Sequence, residues 1–413
     1  MTTRVPAARL CCLDLDTFFV SVERLLDPSL AGKPVVVGGR RGQRGVVTAA
    51  SYEVRVFGVR SGMSMVEAER RAPQAVYLPT RHGVYGPYSK RVKAILERYC
   101  PAVQTASIDE YYLDWAGCER MIRQLGDRDD DAAMLRIVHT MRQCIQDELG
   151  LPASVGIGST IPIAKMASRD AKPAGVFLVP LGQEHAYVRD LPVRAFPGIG
   201  PVADSKLRAA GLHTLGQLVE LPAGPLLQRF RGPARAVRQG IDPRRSAGLG
   251  RDRPAFREYD PVGVSVGTIS NERTFMEDQR DPRSVLTQLR ALSERVAWRA
   301  RGRGMRARTV TLKLRYADFD TLNRSCTITP TWSENDIHRV VVDLYQGLRS
   351  GDRGVRLVGV GLSNLVAPSA QLGLPFADPE RPNAGEAIDA VRQRFGYDAI
   401  RLGATGKKSS WVA

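Results

Sequence analysis

Residues 11–23 read CCLDLDTFFVSVE, and residues 107–115 read SIDEYYLDW. The first stretch continues a short apolar run with β character, RLCCLDL from Arg9 to Leu15, and its VE-containing end reads as helix. Asp14 and Asp16 stand two apart at the end of that strand. Side chains alternate faces along a strand, so both acids are expected on one side. Asp109 and Glu110 are neighbours, which a regular strand would send to opposite faces. For both to serve one centre, the pair must sit at a strand end or a local distortion. A carboxylate cluster without His or Cys suits hard cations, Mg²⁺ above all. Two such ions about 4 Å apart can activate a hydroxyl and stabilise a leaving pyrophosphate. Isolated DxD and DE pairs are common on surfaces, so their meaning comes from what surrounds them.

Outward from these stretches, strand and helix patterns alternate. KPVVVGG (33–39) reads as a buried strand closed by glycines, and GVVTAASY (45–52) as a second. Residues 83–98 and 132–149 carry apolar residues at helical spacing. PASVGIG (152–158) leads into the helix IPIAKMASRDA (161–171). Past about residue 170 short helical pieces follow, punctuated by PGIG (197–200), GLHTLGQL (211–218) and RFRGPARAV (229–237). Residues 230–257 are rich in Arg, Pro and Gly, the pattern of an interdomain linker. From Val264 to Val366 a second α/β unit is expected, with strands in ARTVTLKLRYADFD and RLVGVGLSNL and a helix at 282–300. The tail contains QLGLPF (371–376), a Pro-rich spacer and the amphipathic stretch AGEAIDAVRQRFG.

The chain has 413 residues, 43% of them hydrophobic, enough for several compact domains. Lys and Arg number 60 against 43 Asp and Glu, a formal net charge of +17. That excess implies a polyanionic partner, nucleic acid being the commonest. Six cysteines without a CxxC pair and five scattered histidines support neither a zinc site nor a disulfide framework. No signal peptide and no membrane-spanning run is read, so a cytoplasmic, nucleoid-associated protein without membrane contact is expected.

LDLDTFFVSVE, GVVTAASYEVRVFGVRSGM and SIDEYYLD, in this order, resemble the Y-family DNA polymerases, most closely the DNA polymerase IV (DinB) branch, over residues 10–366. The resemblance implies an α+β multidomain fold: a right-hand polymerase with palm (1–20 and 80–170), small fingers (21–79), a helical thumb with a helix-hairpin-helix (171–232), a linker (233–258), an α/β little-finger domain (259–366) and a C-terminal tail (367–413). It implies low-fidelity translesion synthesis without proofreading, on primer-template DNA with dNTPs, by a chain expected to be a monomer. The cofactor would be two Mg²⁺ per active site, with Mn²⁺ as substitute. Asp14 and Asp109 would bridge the metals, Glu110 would serve the one activating the primer 3′-hydroxyl, and the Leu15 carbonyl would complete the other. Asp16 is not among the family's principal ligands.

The resemblance further puts Phe19 against C2′ of the incoming sugar, where a 2′-hydroxyl has no room. Phe18 is read as a core aromatic. Tyr52 and Arg55, on one helical turn, would face the triphosphate with Lys165. Gly45 and Val46 would form a loose roof over the nascent pair. Ala49 stands where the family usually carries Thr, which predicts weaker nucleotide binding by at most about 1.5–3 kcal/mol. Tyr111 replaces a small residue. PGIGPVADSKL reads as a helix-hairpin-helix, with Gly198, Gly200 and Lys206 toward a phosphate. Arg273, Arg306 and Arg308 are the candidates for backbone contacts from the last domain. Gln371, Leu372, Leu374 and Phe376 resemble the motif by which bacterial polymerases dock on the sliding clamp. Two rival functions are a non-catalytic adaptor of a mutagenesis complex and another palm-type enzyme such as a nucleotide cyclase. The adaptor would have lost its carboxylates; the cyclase leaves the later domains unexplained.

Overall fold

The computed structural model describes residues 9–245, 267–348, 353–367 and 385–400. The chain divides into two compact units, Met1–Asp260 and Pro261–Val412.

In the first unit the strands are β1 (Leu10–Leu15), β2 (Val35–Gly38), β3 (Ala49–Ala50), β4 (Val76–Pro79), β5 (Ala102–Thr105), β6 (Glu110–Asp114), β7 (Ala153–Gly158) and β8 (Val176–Leu178). Five of them form one sheet in the order β5-β6-β1-β7-β8, antiparallel except for β7–β8. β1 is central and buried on both faces. Its odd residues Cys11, Leu13 and Leu15 enter the large core beneath the helices His82–Tyr99 and Asp130–Leu149. Its even residues Leu10 and Cys12 meet Tyr112, Ile161 and Ala164 on the other side. A strand covered on both faces shows a continuous apolar run, which is why LCCL carries no alternation.

Asp130–Leu149 illustrates how sequence sets an element. Asp129 caps it by accepting from the Ala132 amide at 2.8 Å. Gly150 ends it at φ 67°, where a side chain is disfavoured. Met134, Val138, Met141, Ile145 and Leu149 recur every three or four residues and are all buried. On the opposite face the helix Ile161–Asp170 comes so close to β7 that a Cβ on Gly156 would lie 2.1 Å from the Ser168 amide nitrogen. Glycine there lets the helix sit against the sheet.

The small sheet β3-β2-β4 packs with the helices Tyr52–Arg55 and Met65–Arg71 around Val36, Val47, Val54 and Met65. Only Ala49–Ala50 of the expected strand GVVTAASY pairs with β2; Val46 makes an isolated bridge to Ser64. Short helices from Glu184 to Ile241 build a third cluster around Phe196, Ile199, Leu207, Leu218 and Val237. Residues 231–241, expected to fall in a linker starting at 230 or 233, instead form a helix with Ala234, Val237 and Ile241 buried in that cluster. The signal is weak because its apolar stripe is narrow and the helix contains two Gly, a Pro and three Arg.

In the second unit β9 (Thr268–Gln279), β10 (Arg306–Tyr316), β11 (Thr321–Thr331) and β12 (Val355–Val366) form an antiparallel sheet ordered β11-β10-β12-β9. Val310, Leu312, Leu314 and Tyr316 point to one face, which packs on the helices Pro282–Arg301 and Glu334–Leu348. The alternate residues Thr311, Lys313 and Arg315 belong to the other, polar face. A C-terminal helix, Gly385–Phe395, is tied to this unit through Asp389 on Arg301 at 2.6 Å and Arg392 on Glu294.

Candidate active site

Asp14 and Glu110 are direct partners in the antiparallel ladder between β1 and β6. Opposed residues place their Cβ atoms about 4.5–5.5 Å apart on one face. Asp109 immediately precedes β6, and its carbonyl accepts from the Leu15 amide at 2.9 Å. The adjacent acids therefore sit at a strand end, in the hairpin between β5 and β6. The chain then leaves β1 through Thr17, held in the left-handed region at φ 44°, and enters the helix Phe18–Leu26. A non-glycine residue there costs on the order of 1–3 kcal/mol. That turn presents Asp14, Leu15 and Phe19 from one short stretch.

Each carboxylate has a donor. Lys165, on the helix laid against this face, reaches Glu110 Oε1 at 2.6 Å, and the Tyr112 hydroxyl donates to the same oxygen at 2.6 Å. Lys172 is ion-paired with Asp14 Oδ1. The Ser107 hydroxyl donates to Asp109 Oδ1. Among the described residues no three acidic, imidazole or thiol side chains close on a common point at metal-bonding distance. The backbone brings the acids together, and two of them are paired with lysines. The donor set, three carboxylates and a strand-end carbonyl, fits a hard divalent cation. Two ammonium ions already occupy positions where positive charge is favoured.

Burial pushes the Asp14 carboxyl above its ordinary range; Lys172 opposes this, while Asp109 and Glu110 add to it. The Tyr112 hydroxyl is driven strongly upward by burial, with Cys12 and Glu110 contributing, so it stays a donor. Burial also raises the Cys12 thiol to about 12, which leaves it inert beneath the site.

Asp16 lies one residue beyond β1 and is almost fully buried. Its carboxylate accepts from the Tyr52 hydroxyl at 2.8 Å, Ser154 Oγ at 2.7 Å and the Ala174 amide at 2.8 Å. Strand alternation alone would have paired it with Asp14 at the cation. Three donors, from Tyr52, Ser154 and the Ala174 backbone, take up its lone pairs.

Around this centre, Phe18 is buried while Phe19 is half-buried and stacks on Tyr85 at 4.1 Å. Tyr52 and Arg55 share one helical turn, the guanidinium lying over the ring at 4.6 Å and Nε donating to the Ala50 carbonyl. The Tyr52 hydroxyl donates to Asp16, as Lys165 and Lys172 donate to Glu110 and Asp14. Arg55 has no carboxylate partner among the described residues. Ala49 offers no hydroxyl, and neighbouring Thr48 does not replace it, since its Oγ1 donates to the Val37 carbonyl at 2.8 Å. Tyr111 is fully buried, with its hydroxyl on Ser89 Oγ at 2.6 Å and on the Ser89 carbonyl at 2.9 Å. It ties β6 to the helix His82–Tyr99, which accounts for a large residue there. Gly45 and Val46 lie at the edge of the small sheet, Val46 with 53% of its surface exposed.

Lys172, Ser107 and Tyr112 were missed from sequence. Lys172 had a usable signal, being the second lysine of IAKMASRDAKP, seven residues after the one chosen. Tyr112 could have been found from alternation, two residues from Glu110 on its face.

Farther away, Ile199 of PGIG is buried, Gly198 turns at φ 100°, and Gly200 precedes the helix Pro201–Ala209. The first amides of that helix lack intrahelical partners, and Lys206 is exposed. Gly200, at φ −83°, does not need to be glycine for its own backbone. In the second unit Arg308 is exposed, and Arg306 lies over the Trp332 ring at 4.8 Å. Arg273 is paired with Val358, a fully buried residue. Its parity puts it on the helix-covered side of the sheet, which corrects its expected place among residues laid along DNA. Gln371, Leu372, Leu374 and Phe376 lie outside the described residues.

Comparison with known proteins agrees with this architecture. The impB/mucB/samB family matches residues 13–169, and the C-terminal domain of that family matches residues 267–374. A DNA polymerase IV of Dehalococcoides mccartyi is 36% identical over 404 residues, covering 97% of this chain and 98% of the relative. One from Halorhodospira halophila is 36% identical over 86% of this chain and 94% of its own length. Among solved structures, a Y-family DNA polymerase chimera of Dbh and Dpo4 superposes with a TM-score of 0.74 at 24% identity, over 87% of this chain and all of the other. An insertion ternary complex of Dbh DNA polymerase gives 0.56 at 23% identity with the same coverage. The fold is that of a Y-family DNA polymerase. The chain belongs to the impB/mucB/samB family, in its DNA polymerase IV branch.

Proposed function

We propose that the chain is a template-directed DNA polymerase that performs low-fidelity translesion synthesis by two-metal-ion nucleotidyl transfer, without proofreading. One observation carries the reading. Asp14 and Glu110 face each other across paired strands, Asp109 adjoins them, and two lysines pair with the acids. A pair of Mg²⁺ ions, or Mn²⁺ in their place, would supply activation of the primer hydroxyl and neutralisation of the departing pyrophosphate. Asp14 and Asp109 would hold both, Glu110 the one beside the primer, and the Leu15 carbonyl the one beside the nucleotide. Lys165 and Lys172, freed from Glu110 and Asp14, then turn to triphosphate oxygens as point charges, and Arg55 adds a planar fork. Phe19 excludes a 2′-hydroxyl. Gly45 and Val46 cover the nascent pair loosely, which admits distorted template bases and rejects mispairs poorly.

The five-stranded sheet would be the palm, the small sheet the fingers, residues 171–241 the thumb and the second unit the little finger. The PGIG turn and Lys206 would grip the duplex backbone, with Arg308 in a similar sequence-neutral role. Residues 371–376 would dock on a sliding clamp, and the polymerase would act as a monomer in the nucleoid. No helix among the described residues is long and apolar enough to cross a membrane. Retention of all three carboxylates argues against a non-catalytic adaptor, and the second unit argues against a cyclase.

Primer extension with Mg²⁺ and dNTPs, on undamaged and abasic templates, tests this directly. The wild type should extend both, and Asp109→Asn or Glu110→Gln should slow extension by roughly 10³-fold, about 4 kcal/mol of transition-state stabilisation. A wild type that extends neither template would sink the proposal.

A further inference from the structure

The stack behind Phe19 ends in a buried carboxylate, Glu23, paired with a partly exposed arginine, Arg81. The Phe19 ring lies nearly parallel to that of Tyr85, 4.1 Å between centroids and inclined by 12°. Tyr85 is fully buried, and its hydroxyl donates to Glu23 Oε1 at 2.7 Å while accepting from the Arg81 amide at 3.2 Å. Glu23 is 4% exposed, and Arg81 grips both of its oxygens, with Nε on Oε1 at 2.9 Å and Nη2 on Oε2. Glu23 follows Phe19 by four residues on the helix Phe18–Leu26, so the two share a face. Tyr85 bridges them, ring against one and hydroxyl on the other.

A buried carboxylate is expensive, and an apolar residue of similar volume would pack there at no such cost. What the ion pair adds is direction: it fixes where the Tyr85 ring stands. Discrimination by exclusion depends on the stiffness of whatever backs the excluding group, because a ring that can retreat by a fraction of an ångström no longer rejects a small substituent. We propose that Glu23, held by Arg81, is a positioning residue for sugar discrimination. It sets the Tyr85 ring behind Phe19, and so the depth of the sugar pocket, without touching the nucleotide. This rests on the reading of Phe19 as the residue that excludes the 2′-hydroxyl.

The test uses the full chain and single-nucleotide incorporation on a primer-template, comparing kcat/KM for a dNTP with that for the matching rNTP. Phe19→Ala should lose most of the selectivity. Glu23→Gln and Tyr85→Phe should each lower the dNTP:rNTP ratio by about tenfold, chiefly through a lower KM for the rNTP, with dNTP kcat/KM within about threefold of wild type. The double variant Phe19→Ala/Glu23→Gln should fall no further than Phe19→Ala alone, because both act on one ring. The ratio is independent of the fraction folded, and Tyr85→Phe deletes a single oxygen, so loss of protein cannot imitate the result. Wild-type ratios in Glu23→Gln and Tyr85→Phe, beside a relaxed Phe19→Ala, would overturn the role of Glu23 and leave Phe19 standing. Full selectivity in Phe19→Ala would overturn both.

Discussion

Asp14 answers to two opposed demands. Its burial favours the neutral acid, and Lys172 recovers only part of the cost of ionising it. A carboxyl whose folded pKa is raised stabilises the fold only while protonated; once pH rises through that value, the ionised form is a net burden. Asp14→Asn removes the charge and keeps the shape. In the metal-free protein at neutral pH it should therefore raise Tm, on the order of 2 °C, while abolishing synthesis. A fall in Tm on thermal denaturation would show that the Lys172 pair outweighs the burial. The neighbouring Asp16 shows why single residues were only partly legible. Its spacing from Asp14 suggests a shared role, yet three donors from Tyr52, Ser154 and Ala174 claim it. Those donors come from distant parts of the chain, and no local pattern announces them.

Among the elements, those fixed by local chemistry were read well. β1, β6 and the helices at 82–99, 130–149 and 161–170 follow from the spacing of their apolar residues. The helix Arg231–Ile241 was missed because its buried stripe is only Ala234, Val237 and Ile241 amid arginines. Arg273 was misplaced because its face depends on its register with Val358, a non-local property. The PGIG turn carries its own prediction. Gly198 at φ 100° cannot take a side chain without strain of about 1–3 kcal/mol. Gly198→Ala should weaken primer-template binding by roughly tenfold, about 1.4 kcal/mol, with kcat at saturating DNA little changed. Unaltered affinity by anisotropy titration would remove this turn from the DNA contact.

At the scale of the whole molecule, a net charge of +17 and two separately cored units suit a protein that holds a polyanion over a length of duplex. Deleting residues 370–377 should cut clamp-dependent processivity and spare clamp-free synthesis; equal stimulation by clamp before and after deletion would exclude that docking role. Everything catalytic in the account depends on Asp14, Asp109 and Glu110 releasing their lysine and serine donors to share cations. Crystals with primer-template, an incoming nucleotide and Mn²⁺ examine this most directly through the anomalous signal of manganese. Two peaks about 4 Å apart are expected, bonded to those three carboxylates, with Lys165 and Lys172 turned to the phosphates. Manganese bound elsewhere, with Lys165 still on Glu110 and Lys172 still on Asp14, would contradict it.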